Sequence, residues 1–146
     1  MISFTPTPAE LDAIAITRPN LVHLARIIAL RHPILTDRVW RAVRIVAEGK
    51  VKPPRGDYEL ALVLGSRQQN YSIYVEEKIT CDCKDHPKAP QTVENGIRFC
   101  KHILAHYFSR EEETLEKMIA ATGPLVDREE EEINALFVPE GVPANV

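Results

Sequence analysis

The sequence predicts an α+β fold: a helical amino-terminal half, a β-hairpin joined to a helix, and a helical, acidic carboxy-terminal tail. Three observations lead there. Residues 7–48 carry apolar side chains at helical intervals, punctuated by Pro19 and Pro33. Two short β-forming runs follow, Glu59 to Leu64 and Tyr71 to Glu76, with turn residues from Gly65 to Asn70 between them. All three cysteines and two closely spaced histidines then fall between Cys81 and His106, where another helical run begins.

In chain order, Thr7-Pro8-Ala9-Glu10 reads as a helix start. Thr7 is the cap, Pro8 takes the first helical position, and Glu10 reaches back. Leu11, Ile14 and Ala15 face inward, and Pro19 breaks the helix. A second helix runs from Asn20 to His32 with Leu21, Leu24, Ala25, Ile27 and Ile28 on one stripe, stopped by Pro33. His23 and His32 read as structural or solvated. Thr36 or Asp37 caps a third helix, Arg38 to Glu48, closed by Gly49. Val39, Trp40, Val43 and Val46 form its apolar face. Arg38, Arg41 and Arg44 make a basic stripe beside it, either a solvated face or a ridge matched to phosphate.

Val51 to Gly56 reads as a linker-like bend before the hairpin. After Cys100, a long helix from Lys101 to Ala120 is expected, with Ile103, Leu104, Tyr107, Phe108, Leu115, Met118 and Ile119 inward. Gly123-Pro124 ends it. A last helix, Asp127 to Phe137, opens on acidic residues that suit a helix amino terminus, or else form a patch for a basic partner. Residues 139–146 should be loose.

The chain of 146 residues is long enough for one domain with a real core. No run approaches the roughly 20 apolar residues of a membrane span. The amino terminus lacks the basic and apolar regions of a secretion signal. The expected setting is therefore cytoplasmic and reducing, where clustered cysteines favour metal over disulfides. The net charge of −3 is unevenly spread. Residues 38–106 hold 12 Lys/Arg against 8 Asp/Glu, whereas residues 107–146 hold 3 against 10. Such a basic surplus supports weak phosphate binding and excludes strong, sequence-blind binding by charge alone.

The chemistry concentrates in Cys81-x-Cys83, sixteen residues, then Cys100-x-His102. Three thiolates and one imidazole satisfy a tetrahedral zinc ion. Both sulfurs of Cys81 and Cys83 can face one point only if the backbone between them is irregular. Cys100 and His102 would not share a face of a regular helix, so Cys100 belongs ahead of the helix or in its first turn. Buried core thiols are the bland alternative. A disulfide across one residue is strained, and three is an odd count. His106 lies four after His102, but the pair lacks the glutamate of a zinc-protease helix. A zinc hydrolase would need Asp82 or Asp85 as its base. His86 reads as solvated and would be the reserve ligand.

These residues resemble the SWIM-type zinc finger. The Cys-Lys-His-Ile-Leu-Ala run at 100–105 is similar to that family's most typical segment, and Cys-Asp-Cys-Lys-Asp at 81–85 is similar to its other half, with Lys84 where many members carry Pro. The resemblance covers about a third of the chain, Tyr58 to Phe108. It implies zinc on Cys81, Cys83, Cys100 and His102. It further implies a non-enzymatic module for nucleic acid, DNA ahead of RNA, or for a protein partner in a larger complex. The long polar loop from Lys84 to Phe99 departs from the family and alters the interacting face. In this reading residues 1–52 form a helical region, 53–122 the zinc-finger unit and 123–146 the acidic tail. Lys84, Lys88, Arg98 and Lys101 surround the metal and would meet phosphates. A protein adaptor without nucleic-acid contact is the alternative.

Overall fold

Thr7 opens the first helix as its sequence context requires. In the computed structural model, which describes residues 6–65, 69–75, 77–92, 96–110 and 125–126, the Glu10 amide donates to the Thr7 hydroxyl at 3.2 Å. The Thr7 amide returns a bond to the Glu10 carboxylate. Helix α1 (Pro8–Thr17) buries no side chain fully; Leu11 and Ile14 rest half-buried on the core. Pro19 both breaks α1 and starts α2 (Pro19–Arg31), since the first helical position has no use for its missing N–H. A single 3-10 turn at Pro33–Leu35 then leads directly into α3 (Thr36–Ala47).

The expected cap of α3 is not formed. Thr36 is already helical, and its hydroxyl donates to the Pro33 carbonyl at 2.8 Å. The preceding 3-10 turn supplies the backbone bonds that a capping side chain would otherwise make. Gly49, at φ 70°, ends the helical stretch in the left-handed conformation that glycine tolerates best. That reversal aims Val51 back along the sheet. Val51–Lys52, expected as a linker, is therefore strand β1, paired as Val51↔Val63 and Lys52↔Leu62.

Strands β2 (Glu59–Leu64) and β3 (Asn70–Val75) form the expected hairpin, and β4 (Ile79–Cys81) adds to β3. The sheet is antiparallel in the order β1-β2-β3-β4. Helix α4 spans Lys101–Ser109. The Arg110 amide bonds the Tyr107 carbonyl at 3.2 Å, a tightened last turn that closes α4. The continuous helix expected to Ala120 is thus corrected to nine residues. Strand β5 (Gln91–Thr92), in the loop between the cysteine pairs, pairs with β6 (Leu125–Val126). The remainder of the expected long helix, the last helix at 127–137 and the end at 139–146 lie outside the described residues.

One apolar core joins these parts. Leu21, Leu24, Ala25 and Ile28 of α2 meet Val39, Val43 and Val46 of α3, and Trp40 is core as expected. Ala61, Val63 and Ile73 close it from the sheet, Phe99 from the chain just ahead of α4, and Ile103, Leu104 and Phe108 from α4. Each large side chain removed from water contributes about 1.5–3 kcal/mol. Among the described residues no helix is long and apolar enough to cross a membrane.

Candidate metal centre

Strand β4 delivers the first donor. Its register sets Cys81 opposite Ile73, so Cys81 faces the core. The strand stops there because Asp82 turns back on β3. The Asp82 amide donates to the Ser72 carbonyl at 3.3 Å, and its carboxylate accepts from the Ser72 amide at 2.9 Å. This break in the pleat is the irregularity that lets Cys81 and Cys83 face one point. Beyond Cys83 the chain winds into a 3-10 turn, His86–Lys88, begun by a bond from the His86 amide to the Cys83 carbonyl. Arg38 of α3 clamps that turn, with Nε and Nη2 each donating to the Asp85 carboxylate at 2.9 Å.

The second pair comes from the start of α4. Cys100 is the cap residue, extended at φ −77° and ψ 167°, and His102 lies in the first turn. Cys100 therefore stands just ahead of the helix, as the two-residue spacing demands. The four ligand atoms of Cys81, Cys83, Cys100 and His102 lie within 4.8 Å of one another, and all four residues are buried. Nδ1 of His102 sits 3.7 Å from the Cys81 sulfur. In a tetrahedron with metal–ligand bonds of about 2.0–2.3 Å, donor atoms stand about 3.5–3.8 Å apart. The cluster could hold a metal ion after a contraction of about 1 Å along its longest edge.

Electrostatics points the same way. Hydrogen bonds from Cys100 and Cys81 hold Cys83 below the usual thiol range. A hydrogen bond with Cys100 pulls Cys81 down, but Cys83 and burial outweigh it and push Cys81 up to about 12. Cys100 is pushed up too, by its bonds to Cys81 and Cys83 and by burial. A bound cation would displace thiol protons from Cys81, Cys83 and Cys100 and offset the repulsion between the sulfurs. No disulfide joins them.

Tyr71 supports the imidazole. Its ring stacks on His102 with centroids 4.4 Å apart and planes at 21°, and its hydroxyl donates to Gln69 at 2.9 Å. Strand alternation puts Tyr71 on the face of Ile73, but only the hairpin register could have revealed this contact in advance.

The other histidines stay apart from the cluster. His106 is buried, 6% exposed, outside the four-donor cluster, and meets Tyr107 edge-on at 5.2 Å. His86, expected to be solvated, is half-buried, and its Nδ1 is buried without a hydrogen-bond partner among the described residues. Burial lowers its pKa, and Arg98 and Lys78 add to this against Cys83 and Asp85.

The basic residues divide into two kinds. Lys84 and Lys88 are exposed and Lys101 is half-buried; none of their side chains has a hydrogen-bond or ion-pair partner among the described residues. Arg98 donates to the Ala89 carbonyl at 3.3 Å and braces the loop. The stripe on α3 is held by carboxylates: Arg38 by Asp85, Arg41 by Asp37 at 2.8 Å, and Arg44 by Glu10 at 3.0 Å. With side chains 43% and 49% exposed, Arg41 and Arg44 remain on a solvated face, each guanidinium shared with a carboxylate.

Fold and site together define a small α+β domain with a buried Cys3His cluster suited to a metal ion. No protein-family model, curated protein or solved structure matches the chain.

Proposed function

We propose that the chain is a non-enzymatic, SWIM-like zinc module that contacts nucleic acid as a subunit of a larger nucleic-acid-processing complex. The observation that carries the proposal is the closed donor set of Cys81, Cys83, Cys100 and His102, with lysines beside it whose side chains have no partner among the described residues. Three sulfurs and one imidazole suit zinc above the harder cations. Four protein ligands leave zinc no position for an activated water, so its role is to fix the loop and α4 against the sheet. Asp82 and Asp85, the candidates for a hydrolase's base, are engaged elsewhere, Asp82 with the Ser72 amide and Asp85 with Arg38. Lys84 and Lys88 follow the first donor pair, and Lys101 lies inside the second.

A second reading, a protein adaptor without nucleic-acid contact, gains from the carboxylates that hold Arg38, Arg41 and Arg44. Metal analysis and salt-dependent retention on DNA and RNA test both. One zinc per chain with retention at low salt supports the leading reading. Zinc with no retention leaves the adaptor, and a chain that binds no metal overturns the zinc module.

A further inference from the structure

The metal cluster lies beside a groove that the reading above leaves unused. It has a volume of about 480 Å³ and runs between the amino-terminal turns of α3 and α4. Pro33 and Ile34 give it an apolar wall, and Lys101, Arg38 and Arg41 a cationic one. Asp37 and Asp85 also line it, but each is held by an arginine of the same groove. The charges of its lining sum to one surplus cation, and Lys101 is the one without an ion-pair partner among the described residues.

We propose that this groove takes one nucleotide of a single-stranded nucleic acid, its phosphate on Lys101 and Arg41 and its sugar against Pro33 and Ile34. The inference rests on the nucleic-acid reading and gives it a place. Charge favours a phosphate there, and the apolar wall favours the less polar part that follows it. A single strand presents both along its length, whereas a duplex offers a convex backbone with its bases turned inward. The metal would set the width of the groove. Lys101 sits between donors Cys100 and His102, and the opposite side is tied to the Cys83 turn through Arg38 and Asp85.

Fluorescence anisotropy of the zinc-loaded full chain tests this, with labelled oligothymidylate, oligouridylate and a DNA duplex over a range of salt. Lys101→Ala and Arg41→Gln should each flatten the dependence of log affinity on log salt by about 0.7 for single strands. Between about 50 and about 200 mM salt, each variant would then lose roughly threefold less affinity than the parent protein. Lys52→Ala, on a different groove, should leave the slope unchanged. Zinc content is measured for every variant, and Arg41→Gln, remote in sequence from the donors, gives the answer if Lys101→Ala loses metal. Unchanged slopes in a protein that binds single strands, or tighter binding to duplex, overturn the groove and leave the nucleic-acid reading standing. No binding to any of the three probes overturns both.

Discussion

The two helices α2 and α3 and the segment from Cys81 to His102 share one core but are held in different ways. The helices interlock through buried leucine, isoleucine and valine side chains, every one of which loses water-exposed surface. Among the described residues, the metal-bearing segment has Ala89, Pro90, Ile97 and Phe99 as its buried apolar anchors between the cysteines. Its backbone is otherwise fixed by short local bonds, such as the Thr92 amide to the Ile97 carbonyl at 2.9 Å and the Phe99 amide to the Pro90 carbonyl at 2.9 Å. A domain can therefore support a long polar loop with little apolar payload if a cation ties its two ends together. The helices supply global stability, and the donors supply local order.

The largest test of that division is Cys100→Ser or removal of the metal by a chelator. Structural zinc contributes about 10–16 kcal/mol in small finger peptides, but here the loss should stay local because the helices pack without it. Hydrogen exchange should show the amides of residues 82–99 opening while those of α2 and α3 keep their protection. Collapse of all of them together would show that the two regions are not separable. The reverse experiment is Ile28→Ala, at a fully buried position of α2. It should cost about 2–5 kcal/mol of unfolding free energy, seen as a lower denaturant midpoint, with metal content retained.

The same division decides what could be read in advance. Thr7, Pro8 and Glu10 are four-residue chemistry, and the start of α1 was legible from them. The donors were legible too, because two Cys-x-Cys/His pairs each act within one turn of chain. What escaped depends on distant partners. Asp85 meets Arg38 across 47 residues, and no local pattern marks that pair. Strand β1 was hidden because two residues have no periodicity to detect; pairing with β2, not propensity, makes Val51 and Lys52 a strand. The half-burial of the His86 ring, and the Arg98 and Lys78 charges that help lower its pKa, are not disclosed by its neighbours in sequence.

Tyr71 sharpens the comparison by probing the cluster without touching its donors. Replacing the stacked ring by Tyr71→Leu should weaken metal binding about two- to tenfold in a chelator competition, the range of one aromatic pair. Tyr71→Phe keeps the ring and should keep the affinity. Equal losses in both variants would assign the effect to the hydroxyl and Gln69 instead of to the stack on His102.

A smaller effect separates two ion pairs of α3. Asp85→Asn weakens a two-bond clamp between helix and metal-bearing turn, whose arginine is only 22% exposed. It should cost about 1 kcal/mol and speed metal exchange, because the Cys83 turn loses its tie. Asp37→Asn breaks a more exposed pair within the helix and should cost only about 0.3 kcal/mol, with metal exchange unchanged. Matching costs and exchange rates would show that Arg38 does nothing for the turn that Arg41 does not.

The least effect is expected on the face of the sheet turned from the core, where Glu59 is buried. Its hydrogen bond with Ser72, the Arg55 amide and the Arg55 guanidinium hold its carboxyl below the usual carboxylate range. A carboxylate with a depressed folded pKa adds stability that is complete above its unfolded pKa and is lost as pH falls through the folded one. Unfolding midpoints should therefore drop through the acid range below about pH 4.5. Protonation of the thiolates releases metal over acid pH as well, so the absolute curve mixes two causes. That second cause is common to the parent protein and Glu59→Gln, and it cancels in their difference. The difference between the two midpoints should be greatest near neutral pH and shrink as Glu59 is protonated. A constant difference would mean that Glu59 acts through its shape and its neutral hydrogen bonds, and that the acid lability belongs to the metal segment alone.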